Sequence, residues 1–188
     1  MKTILFYYDD FSNFEVACTA FQFHESLLTA AMEQRIYTSE ENMRFEPHTT
    51  ISELNPKEVS LLILPGGNPS NLFGNEEFRA FVLEVSAGGG VIAGICGGTA
   101  IPAAFGLLEG KRCTGGGDGI SEDWDWGYPL FTESIICNDP VVTDGNIVTA
   151  KGQAFVELAL ELNSVMGMYK TEEEKLADIS WWLQKSER

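Results

Sequence analysis

Val91-Ile92-Ala93-Gly94-Ile95-Cys96-Gly97-Gly98 places a single cysteine between glycines at the end of a short apolar run. The run reads as a buried strand, and Thr99–Phe105 behind it reads as a short helix. Strand, sharp turn and helix with a nucleophile at the corner make the G-x-nucleophile-x-G elbow, here with cysteine in the serine position. The glycines have a steric reason, because such a corner strains the backbone and leaves no room for neighbouring side chains. A helix N-terminus beside the sulfur favours the thiolate. The N–H of Gly97 points where an oxyanion would develop, and Gly67, at the adjacent strand end, is a second donor. The same five residues also suit a small buried cysteine among packing glycines. The strand before and the helix after favour the reactive reading.

Outward from the elbow, apolar runs alternate with helical patterns. Lys2–Tyr8 is a strand that stops at Asp9-Asp10. Ser12 or Asn13 caps a helix expected to run to about Met32, with Phe14, Ala17, Phe21, Leu28 and Ala31 at helical spacing. Gln34–Thr38 is the next strand candidate, and Met43–Leu54 has no clear pattern. Val59–Leu64 is a continuous apolar strand closed by Pro65-Gly66-Gly67. A helix starts at Asn75-Glu76-Glu77 and runs to about Ser86, before Gly88-Gly89-Gly90. Beyond the elbow, Arg112–Thr114 is a brief strand and Gly115–Gly127 a glycine-rich loop holding Trp124 and Trp126. Ile135–Cys137, Val141-Val142 and Ile147–Thr149 read as strands, the last two joined by an Asp144-Gly145 hairpin turn. Gln153–Val165 is a helix. Thr171-Glu172-Glu173-Glu174 is a capping box opening a last helix to about residue 185, with Leu176, Ile179, Trp182 and Leu183 on one face. Alternating strands and helices predict a mostly parallel sheet with helices on both faces. Ligands of such sheets sit at the carboxyl ends of the strands, where Asp9-Asp10, Pro65-Gly66-Gly67 and Cys96 all fall.

A chain of 188 residues suits one domain with a full core. Its 28 acidic against 12 basic residues leave a net charge of −16, which repels nucleic acid and anionic membrane surfaces. No apolar run is long enough to span a bilayer and no signal core follows Lys2, so a cytoplasmic location is the default. Cys18, Cys96, Cys113 and Cys137 are scattered and read as free thiols, the three besides Cys96 as core. No dinucleotide fingerprint, phosphate loop or metal-ligand spacing is present, so no cofactor or metal is expected.

The segments Leu62–Asn68 and Val91–Gly98, with Gly106–Arg112, Asp144–Gly152 and Glu157–Leu160, resemble the ThiJ/PfpI family of the class I glutamine amidotransferase-like superfamily. The likeness runs from about Lys2 to Gly167 in order and spacing. It implies a flavodoxin-like three-layer sandwich for a single domain over residues 1–188, with an extra helix at about 171–185. It implies a reactive elbow cysteine, Cys96, and an acid from the first helix that hydrogen-bonds it, which falls on Glu15. Glu15 in a first helical turn is equally what a helix dipole favours. Many members carry a histidine directly after the cysteine or shortly after the next strand. Those places hold Gly97 and the region of Gly115, while His24 and His48 match neither. Asp118 and Glu122 are candidates to stand in for it. The implied function is cysteine-dependent hydrolase, amidase or glyoxalase-like chemistry on a small carbonyl or amide compound, in a homodimer. Family activities also include isonitrile hydration. The alternative is a sensor of oxidants or electrophiles working through oxidation of Cys96.

Overall fold

The computed structural model describes residues 2–183. Its centre is a seven-stranded sheet. The strands are β1 (Lys2–Phe6), β2 (Leu27–Ala31), β5 (Thr49–Thr50), β6 (Val59–Leu64), β7 (Val91–Ile95), β10 (Val141–Asp144) and β11 (Ile147–Ala150). Their order is β10-β11-β7-β6-β1-β2-β5. All neighbours are parallel except the β10–β11 hairpin at one edge. Two small ladders lie outside it: β3 (Tyr37–Thr38) antiparallel to β4 (Arg44–Phe45), and β8 (Arg112–Cys113) parallel to β9 (Ile135–Ile136).

The helices are α1 (Phe14–Gln22), α2 (Glu76–Ala87), α3 (Ala100–Ala104), α4 (Phe155–Val165) and α5 (Glu172–Leu183). α1 and α4 pack side by side against one face with α5 outside them on α4, and α2 and α3 lie against β6 and β7 on the other. This is the mostly parallel sheet with helices on both faces that the alternation predicts, and the flavodoxin-like sandwich that the resemblance implies. β6 shows why its run is unbroken: Leu61, Leu62, Ile63 and Leu64 are all fully buried, as a strand covered on both faces demands. At the sequence level α2 is equally plain, since Asn75 accepts the Phe78 N–H at 2.9 Å and caps it.

The first helix departs from expectation. It ends at Gln22, a turn through residues 23–26 follows, and Leu27–Ala31 forms β2, paired with β1 from Thr3↔Leu27 to Phe6↔Ala30. Leu and Ala are strong helix formers, but a short apolar run is ambiguous, and pairing with a buried strand decides it. The expected apolar face of α1 is also reversed: Phe14 is 49% and Phe21 61% exposed, while Glu15, Val16 and Thr19 are buried. Neither Ser12 nor Asn13 caps the helix. Glu41, from the turn between β3 and β4, accepts the backbone N–H groups of Asn13 (3.2 Å) and Phe14 (2.9 Å).

The Gln34–Thr38 strand shrinks to the two residues of β3. Thr171 caps α5 through the Glu174 N–H at 3.1 Å, but Leu176 is 57% exposed, so the inner face is formed without it. Residues 184 and 185 of that expected helix lie outside the described residues. Cys113 is buried as expected, whereas Cys18 and Cys137 are only half-buried. Among the described residues no helix is long and apolar enough to cross a membrane.

Candidate active site

β7 delivers Cys96 to the carboxyl edge of the sheet. A 3-10 turn, Cys96–Thr99, joins it to α3, and Cys96 has φ +53°. A non-glycine residue there is strained, and the turn holds it through its carbonyl. That oxygen accepts the Thr99 hydroxyl at 2.6 Å and the Gly116 N–H at 3.2 Å. Gly97 is required by close approach, because a Cβ on it would lie 1.9 Å from the Gly67 carbonyl oxygen. The two glycines named as oxyanion donors thus face each other beside the sulfur.

Glu15 reaches the same spot from the first turn of α1, and its side chain hydrogen-bonds Cys96. Two glycines make space for it. A Cβ on Gly66 would lie 1.9 Å from Glu15 Oε2, and one on Gly152 would lie 2.7 Å from Oε1 and 3.2 Å from Cys96 Sγ. Glu15 is 3% exposed and its Oε2 makes no hydrogen bond among the described residues. An orphaned carboxyl oxygen is least costly when the group is neutral. Burial accordingly pushes the Glu15 carboxyl up to about 7, and the nearby charges of Glu40 and Glu41 add to the rise.

Cys96 differs from the expected thiolate. Burial pushes its thiol up to about 12, the Glu15 charge and hydrogen bond reinforce this, and only the Gly97 N–H opposes it. The helix behind it explains the outcome. One 3-10 turn and the five residues of α3 give little dipole, against a carboxylate in direct contact. Tyr8 completes the inner wall: its buried hydroxyl donates to the carbonyls of Pro65 (2.8 Å) and Gly66 (2.5 Å). Burial holds its phenol protonated, with the charges of Cys96 and Glu15 adding to the effect.

Outside the sulfur lies a cavity of about 400 Å³. Cys96, Gly67 and Gly97 form its floor, and Gly116–Gly119, Ser121, Asp123, Trp124 and Trp126 form its walls. The indoles stand edge to face, 5.0 Å apart at 79°. Both also pack inward, Trp124 on Phe131 and Trp126 on Phe73, so they serve the pocket and the fold together. Of the two acids considered as stand-ins for a histidine, Asp118 lines the cavity and accepts from Gln153 at 2.7 Å, while exposed Glu122 does not line it. Asp123 does, and was not anticipated.

The histidines are elsewhere, His24 on the Phe21 carbonyl after α1 and His48 on Thr29. At Gly115 a Cβ would meet Thr99 Oγ1 at 2.1 Å, so the Thr99 hydroxyl fills the space a longer side chain would need. Tyr8, Glu40, Glu41 and Thr99 were missed from sequence. Tyr8 carried one signal, its place at the end of β1 before Asp9-Asp10. The glutamates carried none.

A parallel α/β sheet with a cysteine elbow at its carboxyl edge and an acid from the first helix defines the class. The chain belongs to the DJ-1/PfpI family, whose profile matches residues 1–164. It is 28% identical over 137 residues to the dj-1beta protein of Drosophila melanogaster, covering 68% of this chain and 67% of that one. The solved structure of that fly protein superposes with a TM-score of 0.81 and 18% identity, over the whole of both chains. A deglycase of Pyrococcus abyssi is 26% identical over 160 residues, covering 80% of this chain and 90% of the relative. An isonitrile hydratase of Pseudomonas putida is 30% identical over 128 residues, covering 66% of this chain but only 52% of its own length.

Proposed function

We propose that the protein is an enzyme acting on small carbonyl compounds through Cys96, with Glu15 moving the proton. The observation that carries this reading is the buried Glu15 carboxyl, raised to about 7 and hydrogen-bonded to the Cys96 thiol. A general acid–base works best when its ordinary titration lies near the operating pH. As sulfur bonds the carbonyl carbon, the thiol proton passes to Glu15. The carbonyl π pair moves to oxygen, which the N–H groups of Gly67 and Gly97 stabilise, and Glu15 returns the proton to that oxygen. The product of this step is a hemithioacetal, and Glu15 remains placed to move a second proton.

A cavity of about 400 Å³ suits a small molecule rather than a peptide. The deglycase and isonitrile hydratase among its relatives also work, by their names, on small functional groups. The sensor alternative is less well supported. Oxidation by peroxide follows the thiolate fraction, and burial suppresses it here.

The test is turnover. Excess methylglyoxal should be consumed many times per chain, Cys96→Ser should abolish consumption, and Glu15→Gln should lower kcat and remove a pH limb near 7. Consumption of one equivalent per Cys96 would overturn the enzyme reading. A single domain over residues 1–188 is part of this proposal: α5 is tied to the body by Asp178, which accepts from Tyr169 (2.6 Å), Gln22 (3.2 Å) and Asn163 (3.3 Å). So is a homodimer, for which Phe14, Phe21 and Trp181 are exposed apolar side chains on the α1 and α5 side. The free thiols suit a reducing compartment such as the cytoplasm.

A further inference from the structure

We propose that the Cys96 cavity selects small carbonyl compounds bearing a fixed positive charge, an ammonium or guanidinium group, and discriminates against carboxylates and phosphates. This deepens the reading above and rests on Cys96 being the reacting group. Apart from the sulfur, the ionisable side chains lining the cavity are Asp118 and Asp123, both carboxylates. Gln153 donates a hydrogen bond to Asp118 at 2.7 Å and brings no charge to it. The ammonium of Lys151, bonded to the neutral Asn138 at 2.7 Å, stands at the Gly119 wall, where a Cβ would lie 3.9 Å from it, so two carboxylates face one cation and the excess charge is negative.

Trp124 and Trp126 bring two indole rings to the same wall. Indole is the best aromatic partner for a cation, and carboxylates beside it make a cage for ammonium groups. A cleft walled by one sign of charge and by apolar rings focuses its field, raising the local concentration of the opposite charge. The remaining walls are the glycines of Gly116–Gly119 and Ser121, which carry no charge themselves.

Charged thiol probes test this without requiring turnover. Methanethiosulfonates of similar size, one ending in trimethylammonium and one in sulfonate, transfer their thioalkyl group to Cys96 and release methanesulfinate. Labelling at Cys96 is followed by peptide mass on the full chain, and the cation-to-anion rate ratio is divided by that of the urea-unfolded chain. The ratio should exceed unity by about tenfold or more at low salt and fall as salt rises. Asp118→Asn with Asp123→Asn should bring it close to one, whereas Glu84→Gln, on α2 away from the cavity, should leave it unchanged. Because the readout is a ratio, a general change in thiol reactivity cancels. Trp126→Leu should cut the cationic rate by a further twofold or more.

Equal normalised rates for the two probes, or a ratio that Glu84→Gln lowers as much as the double variant does, would overturn the proposal. A turnover arm then compares aminoacetaldehyde, methylglyoxal and glyoxylate. If none is turned over, the enzyme reading falls while the probe ratio still decides the charge preference. If glyoxylate is preferred, the charge preference falls while the enzyme reading stands.

Discussion

α1 and α2 have similar lengths and opposite designs. α2 buries Phe78, Phe81, Val82 and Val85, one apolar stripe at helical spacing, and caps itself with Asn75. α1 turns Glu15, Val16 and Thr19 inward, exposes Phe14 and Phe21, and takes its cap from Glu41 in another segment. α2 is therefore held by burial it supplies itself. α1 gives part of its inner face to a carboxyl and depends on a neighbouring turn to hold its end. The helix that serves the site is the one whose packing is least self-sufficient, as expected where stability is exchanged for chemistry.

The sharpest test of that contrast is on α2. Phe78 stacks on Phe6 at 4.3 Å and meets Phe105 edge-on at 5.8 Å, fully buried. Phe78→Ala should cost about 3–5 kcal/mol in urea unfolding. A loss under 1 kcal/mol would mean that α2 is not anchored by its stripe.

Glu15→Gln should act in the other direction. The Glu15 carboxyl sits at about 7 in the folded chain against an ordinary 4.5. Its favourable contribution is complete below pH 4.5 and is lost as pH rises through 7, because folding opposes its ionisation. Melting temperatures from pH 4 to 8.5 should show the variant matching the parent at the acid end, pulling ahead between about pH 4.5 and 7, and keeping a constant lead above that. A parent that gains stability relative to the variant on passing from pH 5 to 8 would refute the buried neutral carboxyl.

Glu41→Ala should cost about 1 kcal/mol, the usual size of a lost N-cap, and should also shift the pH limb assigned to Glu15 downward, since Glu41 helps raise that group. An unchanged melting temperature would show that α1 needs no cap from this turn. Phe21→Ser should change monomer stability by no more than about 0.5 kcal/mol, because the ring is mostly exposed. Sedimentation of the same variant reads the proposed dimer: loss of a dimer that the parent forms would place Phe21 in the interface.

Much of the sheet was legible because its strands speak locally. Leu61–Leu64 and Val91–Ile95 are continuous apolar runs with turn residues behind them, and few alternatives fit such runs. The elbow was legible for the same reason, since strand, glycine and cysteine are adjacent in sequence. Leu27–Ala31 was not, because four apolar residues around Thr29 suit a helix as well as a strand until β1 lies beside them. Phe14 and Phe21 misled through their spacing, which marks a stripe without saying whether the stripe faces the sheet.

At the site the sequence by itself determined the place of Cys96 on its elbow, its glycines and, through family likeness, the position of the acid Glu15. Tertiary structure decided their chemical state. Burial and the contact with Glu15 reversed the expected thiolate, because desolvation and a carboxylate outweigh the dipole of a helix as short as α3. The Glu41 cap, the Tyr8 wall and the Thr99 hydroxyl at Gly115 were likewise set by approach of segments far apart in the chain. Motifs record which atoms are covalently close, whereas a proton's position depends on the charges and solvent that folding brings near or removes.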